Sequence, residues 1–178
     1  MKVRPLILTA LFAVLTAAGA LIRIPTPFSA ITLQFFCTAA AGVLLGAKYG
    51  AVSQILYVLL GLVGLPVFAM GGGVGYVLQP SFGFTLGLIG AAWVMGHMTR
   101  QRCDARRVAL ACAAGLGAVY AAGIPYMAAI LNGYMGLSLT AWQLILAGVL
   151  PFLPADALKV VLCALLFPRL RQILGNIH

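Results

Sequence analysis

The feature that most limits how this chain can fold is a series of long apolar stretches that are almost free of charge. Six stretches, separated by Gly, Pro or Arg, run over residues 5–22, 34–47, 49–65, 80–98, 107–131 and 140–168. Of the 178 residues, 63% are hydrophobic and 7% are charged, whereas soluble domains carry roughly 25% charged residues. A transmembrane helix takes about 20 mostly apolar residues. The sequence therefore predicts an all-α integral membrane protein with six transmembrane helices in one membrane domain, residues 1–178.

Two features indicate that these helices are not all regular. The second and third stretches are shorter than a full span, and Pro151 and Pro154 interrupt the sixth. Proline lacks the backbone N–H that a helix interior needs, and short spans are accommodated by tilting or local thinning of the bilayer. We therefore expect breaks or tilts in these segments.

The distribution of basic residues predicts an orientation. The net charge of +9 arises from eleven Lys and Arg against two acids, Asp104 and Asp156. With the N-terminus in the cytoplasm, six spans leave Arg23 in an outer connection and Lys159 inside the last span. The other cations then lie at cytoplasmic ends or loops: Lys2, Arg4, Lys48, Arg100, Arg102, Arg106, Arg107, Arg169 and Arg171. The positive-inside rule thus predicts a multi-pass protein of the cytoplasmic (inner) membrane with both termini inside. The positive charge is assigned to helix ends among membrane lipids, and no nucleic-acid partner is expected.

The first apolar stretch has a second interpretation. Lys2 and Arg4 precede an apolar run that ends in small residues at 18–20, as in a cleaved signal peptide over residues 1–20. Arg23 and Pro25 suit a helix exit equally well, so we expect a first transmembrane helix.

Polar and glycine-rich features gather at the predicted outer face. Thr32 and Gln34 follow the first helix, and the loop from Gly64 to Pro80 follows the third. The loop contains a glycine cluster followed by polar residues: Gly71, Gly72, Gly73, Gly75, Tyr76 and Gln79. Glycine allows positive φ and close approach of the backbone to a ligand. A merely tight connection is the alternative.

Asp156 and Lys159 are the strongest candidates for ligand binding. Their i, i+3 spacing places them on one helical face. Ionisable groups at membrane depth are costly unless they pair or line a polar cavity. A structural ion pair, with Asp156 capping the helix after Pro154, is the alternative.

Nothing in the sequence predicts catalysis, a metal or a cofactor. The chain has no Glu, Asp104 lies among arginines, and His97 and His178 fall at predicted cytoplasmic ends. Four cysteines form no CxxC pair, and no phosphate-binding loop is complete. A lipid- or prenyl-modifying membrane enzyme and a structural scaffold are the functional alternatives.

Several motifs resemble one known family. Residues 61–76 (GLVGLPVFAMGGGVGY) are similar to the signature loop of the BioY family, the biotin-binding S components of energy-coupling factor (ECF) transporters. Supporting segments occur in the same order along the chain: residues 31–34 (ITLQ), 46–50 (GAKYG), 56–57 (LY) and 154–159 (PADALK). Residues 79–88 (QPSFGFTLGL) match the family pattern only in part.

The resemblance implies biotin uptake through an outward pocket roofed by the loop after helix 3. In this pocket Asp156 would accept ureido N–H bonds, Lys159 would attract the carboxylate, and Phe68 and Tyr76 would cover the rings. Gly72, Gly73, Gln79 and Gln34 complete the expected substrate-binding set. The partners implied are an ECF coupling transmembrane subunit and two ATPase subunits. An S component for another vitamin is an alternative.

The first helix carries a run of small residues. Thr9, Ala13 and Ala17 recur at fourfold spacing, with Ala10 and Ala18 beside them. Small residues at this spacing let membrane helices approach closely. The family resemblance implies that Ala13 and Ala17 dock the coupling subunit, and packing within this chain is the alternative.

Overall fold

The structure is a computed structural model that describes residues 3–26 and 28–174. Six helical elements follow one another: α1 Val3–Leu21, α2 Gln34–Leu62, α3 Phe82–Met98, α4 Ala105–Ala128, α5 Ala141–Gly148 and α6 Leu153–Leu174. Two short strands, β1 Arg23–Pro25 and β2 Ala30–Thr32, form an antiparallel ribbon between α1 and α2. A 3-10 helix, Val74–Leu78, lies in the loop before α3, and a π-helical turn, Ala129–Tyr134, extends α4.

The long element α2 is a helical hairpin, because the chain reverses at Gly46. Gly46 has φ 81° and ψ 173°, a left-handed conformation that favours glycine. Across the reversal, Gly42 and Gly50 pack so closely that a Cβ on Gly50 would lie 2.8 Å from the Cα of Gly42. A hydrogen bond from Thr38 to Gln54, 3.0 Å long, joins the two arms further along. The prediction of separate second and third helices is thus confirmed, although the third ends at Leu62 and not at the predicted residue 65.

The sixth predicted stretch is a broken span. α5 and α6 are bent by 49° at the short break that contains Pro151. Besides this pair, α1 and residues 105–134 are long and apolar enough to cross a membrane. The 29 residues of α2 meet the same criterion only when its two arms are taken together, and α3 is shorter. Counting the two arms of α2 separately, the described chain has the six helical segments expected. The last of them continues to Leu174, beyond the predicted end at 168.

Basic side chains and the site loops lie at opposite ends of the helices. Arg171 donates to the carbonyl oxygen of Arg100 at 3.1 Å, and Arg107 donates to that of Met98 at 2.7 Å. These bonds join the end of α6 and the start of α4 to the end of α3. The ribbon with Arg23 and the loop before α3 lie at the other end. The basic end is the one predicted to face the cytoplasm.

We expect labelling in sealed cells to establish the orientation. Val74 is the better outer probe, because it is 75% exposed whereas Gly73 has φ 95°. In a chain with Cys103 replaced by serine, a membrane-impermeant maleimide should label Val74→Cys and spare Arg102→Cys until the cells are opened. The reverse pattern would invert the orientation.

The burial of Ala13 favours the alternative to its expected docking role, which is packing within this chain. The Ala13 side chain is 0% exposed within the main hydrophobic core, and Ala17 is only partly buried beside that core. Packing within this chain therefore accounts for Ala13. On the other side of α1, Ala10 and Ala18 are exposed.

Candidate functional site

One cavity is lined by most of the polar residues predicted to form the site. The cavity is narrow: the space open to the centre of a water molecule is about 80 Å³. The ribbon, the start of α2, the loop before α3 and the helices α3, α4 and α6 form its walls. The lining residues are Ser29, Ala30, Thr32, Gln34, Phe35, Ala69, Tyr76, Ser81, Phe84, Thr85, Leu88, Leu116, Val119, Tyr120, Phe152, Asp156 and Lys159.

The ion pair of Asp156 and Lys159 lies in the cavity wall. The Lys159 Nζ atom is 2.9 Å from Asp156 Oδ1, and Lys159 and Asp156 are 8% and 6% exposed. The Tyr120 hydroxyl donates to the other carboxylate oxygen. Asp156 stands in the first turn of α6, where the helix dipole favours negative charge. The pair is thus a structural bridge that also faces the cavity, which is the position that the predicted role in ligand binding requires.

A second polar network connects the ribbon, α2 and the loop before α3. Gln34 accepts from the Thr32 hydroxyl at 2.8 Å and donates to the Tyr57 hydroxyl at 2.6 Å. Tyr57 in turn donates to the carbonyl oxygen of Val67 at 3.1 Å. One of these bonds is buried and two are partly buried. They hold the wall around Gln34 in place, because a polar group that loses its partner away from water is costly.

An aromatic cluster holds the loop over the cavity. Phe68 is 1% exposed and lies behind Tyr76, with ring centroids 4.5 Å apart. The Tyr76 ring lines the cavity, and its hydroxyl is 3.1 Å from the Ser81 hydroxyl. The Gly73 N–H donates to the carbonyl oxygen of Gly61 at 2.7 Å, which ties the glycine-rich turn to the end of α2.

The predicted site residues therefore divide into two groups. Gln34, Tyr76, Asp156 and Lys159 line the cavity, whereas the other four belong to the loop that forms its wall. Phe68 supports Tyr76 from behind. A Cβ on Gly72 would lie 2.0 Å from the Leu65 carbonyl oxygen, so glycine permits close backbone packing there. Gln79 is exposed, and its backbone N–H donates to the Tyr76 carbonyl oxygen at the end of the 3-10 helix. Gly73 makes the turn described above.

Four aromatic lining residues were not predicted from the sequence: Phe35, Phe84, Tyr120 and Phe152. Phe84 lies between Tyr120 and Phe152, with ring centroids 6.3 and 6.4 Å away. Phe84 and Phe152 supply apolar walls beside the ion pair. Tyr120 had a usable signal, because a phenol inside an apolar span needs a polar partner and Asp156 is the one acid in a predicted span.

The cavity suits a ligand that is mostly apolar but has one compact polar group. Both Asp156 oxygens can accept further hydrogen bonds, and the Lys159 ammonium has donors beyond the one used on Asp156. Their charges cancel, so the pair favours a neutral group with donors and an acceptor side by side. The aromatic walls suit the apolar remainder.

Comparison with known proteins decides the family. The sequence model of the BioY family matches residues 1–176. The chain belongs to the BioY family. The probable biotin transporter BioY of Lysinibacillus sphaericus is 40% identical over 94% of this chain and 87% of its own length. The biotin transporter BioY of Thermotoga maritima is 36% identical, with 96% and 97% covered.

A solved structure agrees with the fold. It is the crystal structure at 2.1 Å of the S-component for biotin from an ECF-type ABC transporter, with a TM-score of 0.70 and 25% sequence identity. The match covers 96% of this chain and 92% of that chain. The family resemblance found in the sequence motifs and the helical membrane fold are both confirmed.

Proposed function

We propose that this BioY-family chain is the biotin-binding subunit of an ECF-type uptake system in the cytoplasmic membrane. The observation that carries the proposal is the buried Asp156–Lys159 pair in the wall of a largely apolar cavity. Two similarities support it: the relatives are named as biotin transporters, and the solved structure with the same fold is an S-component for biotin.

The ureido group of biotin matches the pair. It presents N–H donors beside a carbonyl acceptor, so Asp156 accepts from the N–H groups and Lys159 donates to the ureido oxygen. The two side chains are in direct contact. They cannot meet opposite ends of a ligand whose fused rings and valeryl chain separate the ureido group from the carboxylate. We therefore assign both residues to the ureido group, in place of the carboxylate role expected for Lys159.

The apolar body of the ligand has complementary walls. Phe84 and Phe152 stand beside the pair, and Tyr76 covers the cavity from the loop. Burial of apolar surface contributes about 25 cal/mol per Å². The remaining loop residues, Gly72 and Gly73 among them, act by shaping the wall that holds Tyr76.

The partners proposed are a coupling transmembrane subunit and two ATPase subunits. We place the docking face on the exposed side of α1, where Ala10 and Ala18 flank Val14. Small side chains allow a partner helix to approach closely. Ala17 lies at the edge of this face, and Ala13 is inside the core.

Retention of biotin by the purified protein tests the function. Detergent-purified chain incubated separately with biotin, thiamine and riboflavin, then desalted, should retain biotin alone. Retention of another vitamin would favour the alternative of a different S component. Retention of none of the three would contradict the proposal and favour a scaffold or a membrane enzyme.

A further inference from the structure

The carboxylate of the ligand needs a partner other than the ion pair, if the proposed function and the ureido assignment hold. Apart from Asp156 and Lys159, no described residue of the cavity wall carries a charge. A carboxylate brought into or near an apolar cavity loses hydration and binds weakly unless a cation or several donors replace the water. A cation close to the mouth would meet this need.

The pairing of the ribbon places one cation on the cavity side. In β2, Ala30 and Thr32 line the cavity and Ile31 does not. Alternate residues of a strand point to the same face, and directly paired residues on two strands share a face. Arg23 is paired with Thr32 in the register of the ribbon. The Arg23 side chain therefore leaves the ribbon on the face that borders the cavity.

The electrostatic surroundings of Arg23 agree with this placement. Burial raises the pKa of the Tyr76 phenol, and the charge of Arg23 acts on it in the opposite direction, so the guanidinium lies within electrostatic range of that cavity wall. Arg23 is exposed. Among the described residues, the salt bridge that forms is that of Asp156 and Lys159, so Arg23 takes part in none. The Arg23 charge is thus available to a ligand.

We propose that Arg23 binds the carboxylate of the ligand at the mouth of the cavity. The planar guanidinium offers paired N–H donors that match the two oxygens of a carboxylate. An exposed cation at the mouth also attracts an anionic ligand over a distance that shrinks as salt is added. Arg23 and the Asp156–Lys159 pair then recognise opposite ends of one molecule.

Biotin can be compared with its carboxamide, which lacks the negative charge. The comparison distinguishes binding of the carboxylate by Arg23 from a general effect of Arg23 on the cavity. Wild-type protein should bind biotin more tightly than the amide. In Arg23→Gln the biotin affinity should fall about 2- to 5-fold, because water and salt weaken the contacts of a solvent-exposed cation, while the amide affinity stays the same. Arg23→Lys should keep part of the preference. The matched control is Arg106→Gln, which removes an exposed cation from the opposite end of the helices and should change neither affinity.

Three outcomes would overturn the inference. The ratio of biotin affinity to amide affinity could be unchanged in folded Arg23→Gln, or the two affinities could be equal in the wild type. Either result would show that Arg23 does not bind the carboxylate. A ratio that collapses in Lys159→Met instead would assign the carboxylate to Lys159. A wild-type protein that binds neither compound would overturn the proposed function itself, which distinguishes the two failures.

Discussion

Replacing either member of the Asp156–Lys159 pair should weaken biotin binding by roughly 10- to 150-fold. Asp156→Asn and Lys159→Met each delete a charge-assisted hydrogen bond, whose loss costs about 1.5 to 3 kcal/mol. Both replacement side chains are uncharged, so insertion into the membrane should not be impaired. Isothermal titration of biotin into the purified variants measures the effect.

The chain offers matched controls for both changes. Asp104→Asn removes the other carboxylate, and Lys48→Met removes an exposed ammonium, each at the opposite end of the helices from the cavity. Asp156→Asn also leaves the Lys159 charge without its partner, which can destabilise the fold. Thermal unfolding and size-exclusion profiles therefore accompany each titration. Unchanged affinity in both well-folded site variants would leave the pair as a structural bridge only.

Bulky residues on the exposed face of α1 should abolish uptake without affecting the ligand site. In Ala10→Trp with Ala18→Trp, two indole rings replace the small side chains that permit close helix approach. We expect loss of co-purification with the coupling subunit and loss of biotin uptake by cells. Biotin binding by the isolated chain should persist, because neither residue lines the cavity.

Two further variants serve as comparisons for the double α1 variant. Leu110→Trp changes an exposed side chain of α4 and should leave both assembly and uptake intact. Ala13→Trp places the ring in the core and should impair folding and binding together, since overpacking typically costs about 1–3 kcal/mol or more. A double α1 variant that still assembles and transports would move the docking face elsewhere.

The helices and the polar pair could be predicted because each depends on residues close together in the sequence. Six apolar stretches define the spans, and Gly46, where glycine is needed for the reversal, separates the second from the third. The i, i+3 spacing of Asp156 and Lys159 was enough to place them on one helical face, where they form a salt bridge. The family motifs then supplied the ligand class.

Features that depend on distant contacts could not be predicted in the same way. Tyr120 meets Asp156 across 36 positions of sequence. The ribbon has only three residues in each strand, and it forms where the end of α1 meets the start of α2: the Leu33 N–H donates to the Gly19 carbonyl oxygen at 3.0 Å. No turn motif in the sequence reveals such a pairing.

The buried side of α1 could not be predicted for a related reason. A helix that is apolar all round gives little periodic signal for which face is buried. Small residues occur on both faces of α1, so their spacing alone did not distinguish Ala13, in the core, from Ala10 and Ala18, on the exposed side. Packing against α2 makes that distinction.

A structure of the purified protein with biotin bound tests the central claim most directly. It should place the ureido oxygen within hydrogen-bond distance of Lys159 Nζ, about 2.7–3.2 Å, and the ureido nitrogens equally near the Asp156 carboxylate. The valeryl chain should run toward the ribbon. Biotin bound outside this cavity, or with its carboxylate against Lys159, would contradict the account.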